Sequence, residues 1–158
     1  IYLTPAGKVV HGAGGITPDV FIAMDTARWS SFLSELSWTG VLRDAAFAFV
    51  DDHRSAAFAE DVVSQKDDKW KMEAVSFLME FARAAGIEPG IALTAAEQGE
   101  LEQRMMAQVM RNVLGESAYY EYIARDDLAV RKAMHWLKFK DRMAVVDGRL
   151  TLQLNTEN

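Results

Sequence analysis

The polar and apolar pattern of the first two dozen residues is that of short strands separated by turns. The runs Ile1–Thr4 and Lys8–His11 flank Pro5-Ala6-Gly7. Proline suits the first central position of a tight turn, and glycine accepts the left-handed conformation that closes a bulged hairpin. We therefore predict a hairpin over these residues. The apolar run Val20–Ala23 predicts a further, buried strand.

After Asp25 the apolar positions recur every three or four residues, which is typical of amphipathic helices. The first predicted helix carries Trp29, Phe32, Leu33 and Leu36 on one face, with Asp25 or Thr26 as its N-cap. Further helices are predicted from five sets of apolar residues: Leu42, Ala45, Ala46 and Phe49; Ala57 to Val63; Trp70, Ala74, Phe77, Leu78 and Phe81; Leu101, Met105, Val109 and Val113; Tyr119, Tyr122 and Ile123.

Two of these helices have recognisable end signals. Thr94-Ala95-Ala96-Glu97 has the spacing of a capping box, in which a hydroxyl and a carboxylate each accept from the other residue's free backbone amide. Gly86 and Gly115 follow apolar helical runs, where a glycine commonly ends a helix. These signals predict one helix that ends before Gly86 and another that runs from Thr94 to Gly115.

The last helix is predicted to begin near Asp126 or Asp127. The side chains expected to be buried on it are Val130, Ala133, Met134 and Leu137. Beyond it, apolar residues alternate in the segment Met143–Leu154 around Asp147-Gly148, a strong signal for a β-hairpin. The polar tail Asn155–Asn158 is expected to fray.

Together these elements predict an α+β fold that is predominantly α-helical. It has a short N-terminal β-hairpin and strands, then a helical bundle of about six helices, then a C-terminal hairpin. We divide the chain into a strand segment at 1–24, a helical region at 25–142, and a hairpin with its tail at 143–158.

Composition narrows the functional classes. The chain has 158 residues and a net charge of -6, with 23 acidic against 17 basic residues, which disfavours nucleic acid as a partner. The absence of cysteine excludes disulfides, cysteine-ligated zinc and a thiol nucleophile, but leaves the compartment open. No apolar run approaches the ~20 residues of a membrane-spanning helix, and no targeting signal opens the chain. Because the chain begins with Ile1 rather than Met, we expect that residues before it have been removed.

The residues that could carry chemistry favour structural interpretations. Ser64 and Lys66 lie in a polar stretch that offers no burial to activate a lysine. The three histidines (His11, His53 and His135) stand on different elements without metal-ligand spacing, and Asp51-Asp52-His53 indicates a polar helix end. The loop Gly12–Gly15 lacks the residues of a phosphate-binding motif. We predict no catalytic residue, no metal and no cofactor.

Two groups of charged residues have both a solvated and a functional interpretation. The acidic pairs are Glu60-Asp61, Asp67-Asp68 and Glu97 with Glu100, and we interpret them as exposed side chains or helix first turns rather than catalytic carboxylates. Arg131, His135, Lys138 and Arg142 form a basic stripe on the last helix. That stripe suits a solvated face, and it is also compatible with an anionic membrane surface or an acidic partner helix.

Two segments of the chain resemble a known family. Residues Tyr2-Leu3-Thr4-Pro5-Ala6-Gly7-Lys8, followed by Gly15-Ile16-Thr17-Pro18-Asp19-Val20, resemble the Y-x-T-P-x-G-[RK]…G-I-x-P-D-[VI] stretch of the carboxyl-terminal processing (tail-specific) serine peptidases. Gly14 adds a glycine to the shortest form of that motif. The helical remainder, through Phe47–His53 and Tyr119–Ala133, is more weakly similar to the C-terminal extension of members from the Bacteroidetes group.

The resemblance implies a non-catalytic role for this chain. In that family the stretch lies just downstream of the catalytic Ser and Lys, so both would precede Ile1. The expected function is the C-terminal region of a serine-type peptidase that cleaves proteins near their C-termini, serving core completion, oligomer contacts or substrate guidance. The family-motif residues with structural roles are Tyr2, Thr4, Pro5, Gly7, Lys8, Gly15, Ile16, Pro18 and Asp19. The alternative is a free-standing helical protein-interaction module with no protease parent.

The resemblance also implies partners and a compartment. The partners are the upstream protease core, the parent's protein or peptide substrates, and a second copy bound through the N-terminal strands. Alternatively, those strands pair with the C-terminal hairpin of their own chain. The implied location is the periplasm or cell envelope.

Overall fold

The computed structural model describes residues 1–5, 7, 9–12, 18, 20–23, 30–64, 68–139, 143–146 and 149–152. Within them the chain forms seven helices and four short strands, so the predicted, predominantly helical α+β fold is confirmed. In chain order the elements are β1 (Tyr2–Leu3), β2 (Val9–Val10), α1 (Ser31–Trp38), α2 (Val41–Asp52), α3 (Ala56–Ser64), α4 (Asp68–Ala84), α5 (Ala95–Leu114), α6 (Glu116–Ala124), α7 (Leu128–Lys138), β3 (Met143–Val146) and β4 (Arg149–Leu152).

The chain divides into two compact units. Residues 25–125, called the helical unit below, form one, and residues 1–24 with 126–158 form the other. The sequence predicted divisions after residues 24 and 142, whereas the compact units divide after residues 24 and 125. The assignment of residues 1–24 to a protease core stays a prediction.

Helix α5 is the central element of the helical unit, since α2, α3, α4 and α6 all pack against it. The largest fully buried side chains are Leu33, Leu36, Phe49, Leu78, Leu101, Met105 and Val109. Full burial of one such side chain contributes about 1.5–3 kcal/mol. The apolar faces predicted for the second to fifth helices therefore meet in one core.

The first helix begins later than its predicted caps. Ser30 is the N-cap of α1, and its hydroxyl accepts from the backbone N–H of Leu33 over 3.3 Å. Neither Asp25 nor Thr26 is the cap, and both lie outside the described residues. Ser30 is the better placed cap because its side chain reaches the third residue of the helix that buries Phe32.

The end signals of α4 and α5 are confirmed. Gly86 has φ +78°, and the N–H of Ile87 donates to the Ala82 carbonyl over 2.9 Å, the bond that closes a helix C-terminus. Thr94 and Glu97 form the complete capping box of α5. Gly115, with φ +95°, separates α5 from α6.

The strand predicted at Val20–Ala23 is wrong. These residues form no regular element, and the side chain of Phe21 is 82% exposed. A strand requires a neighbouring strand for its backbone hydrogen bonds, and among the described residues the N-terminal sheet consists of β1 and β2 alone. The prediction rested on the apolar composition of these residues, which does not show whether a pairing strand is present.

Helix α7 forms where it was predicted, but its apolar face is not buried. Asp127 is the N-cap, with its carboxylate accepting from the N–H groups of Ala129 and Val130. The exposed fractions are 41% for Val130, 54% for Met134 and 60% for Leu137. The periodicity identified an apolar face correctly, but it carries no information about what covers that face.

The C-terminal hairpin is confirmed. β3 and β4 are antiparallel, and Val146 pairs with Arg149, which leaves two residues for the turn. Those residues, Asp147 and Gly148, and the tail 155–158 lie outside the described part. Within the described strands, β3–β4 and β1–β2 are separate two-stranded sheets, so the alternative in which the N-terminal strands pair with the C-terminal hairpin is not formed.

Candidate functional site

The first part of the segment that carries the family resemblance folds as the predicted hairpin. Tyr2 pairs with Val10 and Leu3 with Val9 across two antiparallel strands. The N–H of Gly7 donates to the Thr4 carbonyl over 2.8 Å. Gly7 has φ +80°, a conformation that residues with a Cβ rarely adopt.

Five of the nine motif residues lie in the described part of the chain. Tyr2, Thr4, Pro5 and Gly7 share the hairpin, and Pro18 lies apart from it in sequence. The other four, which are Lys8, Gly15, Ile16 and Asp19, lie outside the described residues.

The hairpin presents apolar side chains to solvent. Ile1, Tyr2 and Leu3 are 84%, 67% and 70% exposed. Gly12 lies close beneath the tyrosine ring, since a Cβ at this position would stand 2.5 Å from Cε2 of Tyr2. Such an apolar strand surface on a two-stranded sheet favours contact with a further surface.

The sequence did not predict the polar and aromatic cluster around His53. Nδ1 of His53 lies 2.8 Å from the carbonyl oxygen of Phe49, and Nε2 lies 3.1 Å from Oε1 of Glu73. Both partners are hydrogen-bond acceptors. The rings of Phe49, Phe58 and Trp70 surround it, with centroids 4.3, 5.7 and 5.4 Å away.

This cluster joins the end of α2 to α3 and α4. His53 is the C-cap of α2, as expected for a polar helix end, and Trp70 donates from Nε1 to Asp61 on α3 over 3.2 Å. Glu73 is 20 residues away from His53, and no local motif links the two. The signal available in the sequence was only the polar run Asp51–His53.

The remaining candidates stand apart from one another. Ser64 is exposed at the end of α3, where its hydroxyl donates to the Asp61 carbonyl over 3.0 Å, and Lys66 lies outside the described residues. His11 is exposed, and the ring of His135 contacts that of Phe139 at 5.2 Å. Among the described residues no three histidine or carboxylate side chains form a group that could hold a metal ion.

The acidic candidates with described contacts have structural partners. Glu100 accepts from Nε of Arg104 over 2.6 Å, and Asp61 accepts from Trp70. The Glu97 carboxylate accepts from the backbone N–H and the hydroxyl of Thr94, at 2.7 and 2.8 Å. These hydrogen bonds favour the charged form and lower the pKa of Glu97 below its ordinary value.

The basic stripe of α7 is exposed. Arg131, His135 and Lys138 follow one another at helical spacing, and all three side chains are open to solvent. Arg142 lies outside the described residues. None of the described helices is long and apolar enough to cross a membrane.

Comparison with known proteins adds no relative, because no family model, no curated protein and no solved structure matches this chain.

Proposed function

We propose that this chain is the C-terminal, non-catalytic region of a serine-type peptidase that cleaves protein substrates near their C-termini. The observation that carries the proposal is the motif of residues 2–20, of which Tyr2, Thr4, Pro5 and Gly7 share one hairpin. Each of these residue types suits its position. Pro5 and Gly7 make the turn, and the strands on either side hold Tyr2 and Leu3 at the surface.

The role of the hairpin is to complete a protease core. The exposed side chains of Ile1, Tyr2 and Leu3 are the groups that a neighbouring sheet would cover. The nucleophilic serine and the lysine that takes its proton belong to the upstream part of the parent. The helical unit then supplies oligomer contacts or guides substrates, and the resemblance implies a periplasmic or envelope location.

Two measurements test this proposal. The reading frame upstream of the Ile1 codon should encode a domain-sized segment that carries a serine motif and a lysine motif. The chain alone should neither degrade unfolded casein nor react with a serine-directed phosphonate. An upstream frame without those motifs, or phosphonate labelling of any serine in this chain, contradicts the proposal.

A second candidate is a free-standing helical interaction module. It is favoured by the self-contained core of the helical unit, in which Phe49, Leu78 and Met105 are fully buried. The reading-frame measurement separates the two, because a module without a protease parent has no catalytic motifs upstream.

A further inference from the structure

The described arginines of the helical unit form ion pairs, and the arginine and lysines of α7 do not. In the helical unit the arginines at 43, 54, 83, 104, 111 and 125 each form an ion pair with a carboxylate. Within the described part of the chain, Arg131, Lys132 and Lys138 form none. From Leu128 to Phe139 the sequence has no acidic residue, although the whole chain carries a net charge of -6.

The same helix carries the uncovered apolar face described above. Val130, Met134 and Leu137 recur at spacings of four and three residues and therefore share one face. Each of these apolar residues is followed directly by a basic one, about 100° further round the helix axis. The basic residues are Arg131, His135 and Lys138. These basic residues therefore border the apolar face, whereas Lys132 lies nearly opposite it and Trp136 lies beyond its other edge.

This arrangement fits a flat anionic surface. An interfacial helix buries its apolar side chains at the boundary between headgroups and acyl chains, while bordering cations contact anionic headgroups and an aromatic ring lies at that depth. A specific protein interface takes about 20–30 residues from each partner. Helix α7 has only 11 residues, which is small for a protein partner and sufficient for a lipid surface.

We propose that α7 binds anionic lipid membranes peripherally, with Val130, Met134 and Leu137 inserted and Arg131 and Lys138 against the headgroups. This site is independent of the peptidase proposal and would serve equally in either candidate function. The membrane is bound along its surface and is not crossed.

Vesicle flotation of the full chain tests the binding. The chain should float with vesicles of phosphatidylcholine mixed with phosphatidylglycerol, and not with pure phosphatidylcholine. Added salt should weaken the binding because it screens exposed charges. Each cation near an anionic surface contributes about fivefold in partitioning, so the Arg131→Gln, Lys138→Gln variant should bind roughly 25-fold more weakly.

A matched variant controls for net charge. Arg43→Gln with Arg54→Gln removes the same charge from exposed ion pairs of the helical unit. This variant should retain most of the binding. If it binds as weakly as the α7 charge variant, general attraction to the vesicle explains the effect and the proposal is wrong.

Tryptophan fluorescence tests the apolar face. Vesicles should shift the emission of the chain to the blue, and Trp136→Phe should remove that shift while binding persists. Met134→Gln with Leu137→Gln should abolish both binding and shift, with circular dichroism confirming that the fold is kept. Unchanged binding by this variant, or α7-dependent self-association with no vesicle binding, overturns the proposal and in the second case indicates a protein partner.

Discussion

At the residue scale, the cap of α5 depends on the charge of one exposed side chain. The Glu97 carboxylate accepts two hydrogen bonds from Thr94, and these lower its pKa from the ordinary value of 4.5. A group whose pKa is lower in the folded than in the unfolded chain stabilises the fold at pH values above its unfolded pKa. That contribution is lost as the pH falls through the folded value.

The lowered pKa of Glu97 predicts that the effect of Glu97→Gln on stability depends on pH. Near neutral pH the variant should melt at a lower temperature than the original chain. The difference should shrink as the pH falls below 4.5 and through the lower folded pKa of Glu97, because the carboxylate is then protonated and as uncharged as glutamine. Thermal melts of both proteins across this range measure it. A difference that stays constant with pH would show that the carboxylate charge is not the stabilising feature.

Gly115 and Gly99 are a matched pair of glycines. Gly115 has φ +95° and ψ -179°, a conformation that is essentially restricted to glycine, whereas Gly99 lies inside α5 without a positive φ. A Cβ would meet no atom within 4 Å at either position, so backbone conformation alone decides the effect.

We expect Gly115→Ala to lower the free energy of unfolding by about 1–3 kcal/mol. Gly99→Ala should raise it by roughly 0.5–1 kcal/mol, because alanine restricts the unfolded chain and suits a helix. Urea denaturation of both variants measures these changes. If both substitutions changed the free energy of unfolding in the same direction, backbone conformation would not be the deciding factor.

At the scale of the elements, helices α4 and α7 have similar amphipathic patterns and different surroundings. Leu78 on α4 is fully buried, and Leu137 on α7 is 60% exposed. Burial, rather than the pattern itself, determines what each leucine contributes to stability.

Leu78→Ala should therefore destabilise the chain by about 2–5 kcal/mol through lost burial and the cavity that remains. Leu137→Ala should change the free energy of unfolding by no more than about 0.5 kcal/mol, as for other surface sites. Denaturant midpoints report both values. A large loss for Leu137→Ala would mean that the face of α7 is covered in solution by another part of the chain.

The sequence predicted elements wherever the signal was local. The box Thr94–Glu97 and the glycine at 115 defined α5, and Asp147-Gly148 indicated the hairpin between β3 and β4. Features that depend on distant neighbours were not predicted. The contact of His53 with Glu73 requires α2 and α4 to pack together, and the strand expected at Val20–Ala23 required a pairing partner. The N-terminal hairpin was predicted from the turn chemistry of Pro5 and Gly7, which is also local, whereas its motif residues were identified from the family resemblance.

At the scale of the whole molecule, all the buried hydrophobic side chains of the described residues lie between Phe32 and Met110. The core therefore belongs to the helical unit, and the described residues of 1–23 add none to it. Stability and association are expected to reside in different parts of the chain.

Deletion of residues 1–24 should separate these two properties. We expect the full chain to form a dimer through its N-terminal strands, whose apolar side chains are exposed, and the shortened chain to be a monomer with nearly the same melting temperature. Light scattering coupled to size exclusion measures the mass, and a thermal melt measures stability. A monomeric full chain would refute the dimer, whereas a large loss of stability would place part of the core in residues 1–24.

The methionines of α5 make the helical unit sensitive to oxidation in a particular way. Peroxide can reach the thioethers of Met72 and Met134 in the folded chain, since these side chains are 68% and 54% exposed. Met105, Met106 and Met110 are buried, so their sulfur atoms become accessible only when the unit opens. A sulfoxide formed there would place a polar group where the core offers it no water. Each opening in an oxidising environment thus risks a chemical change that keeps the chain from closing again until a reductase reverses it.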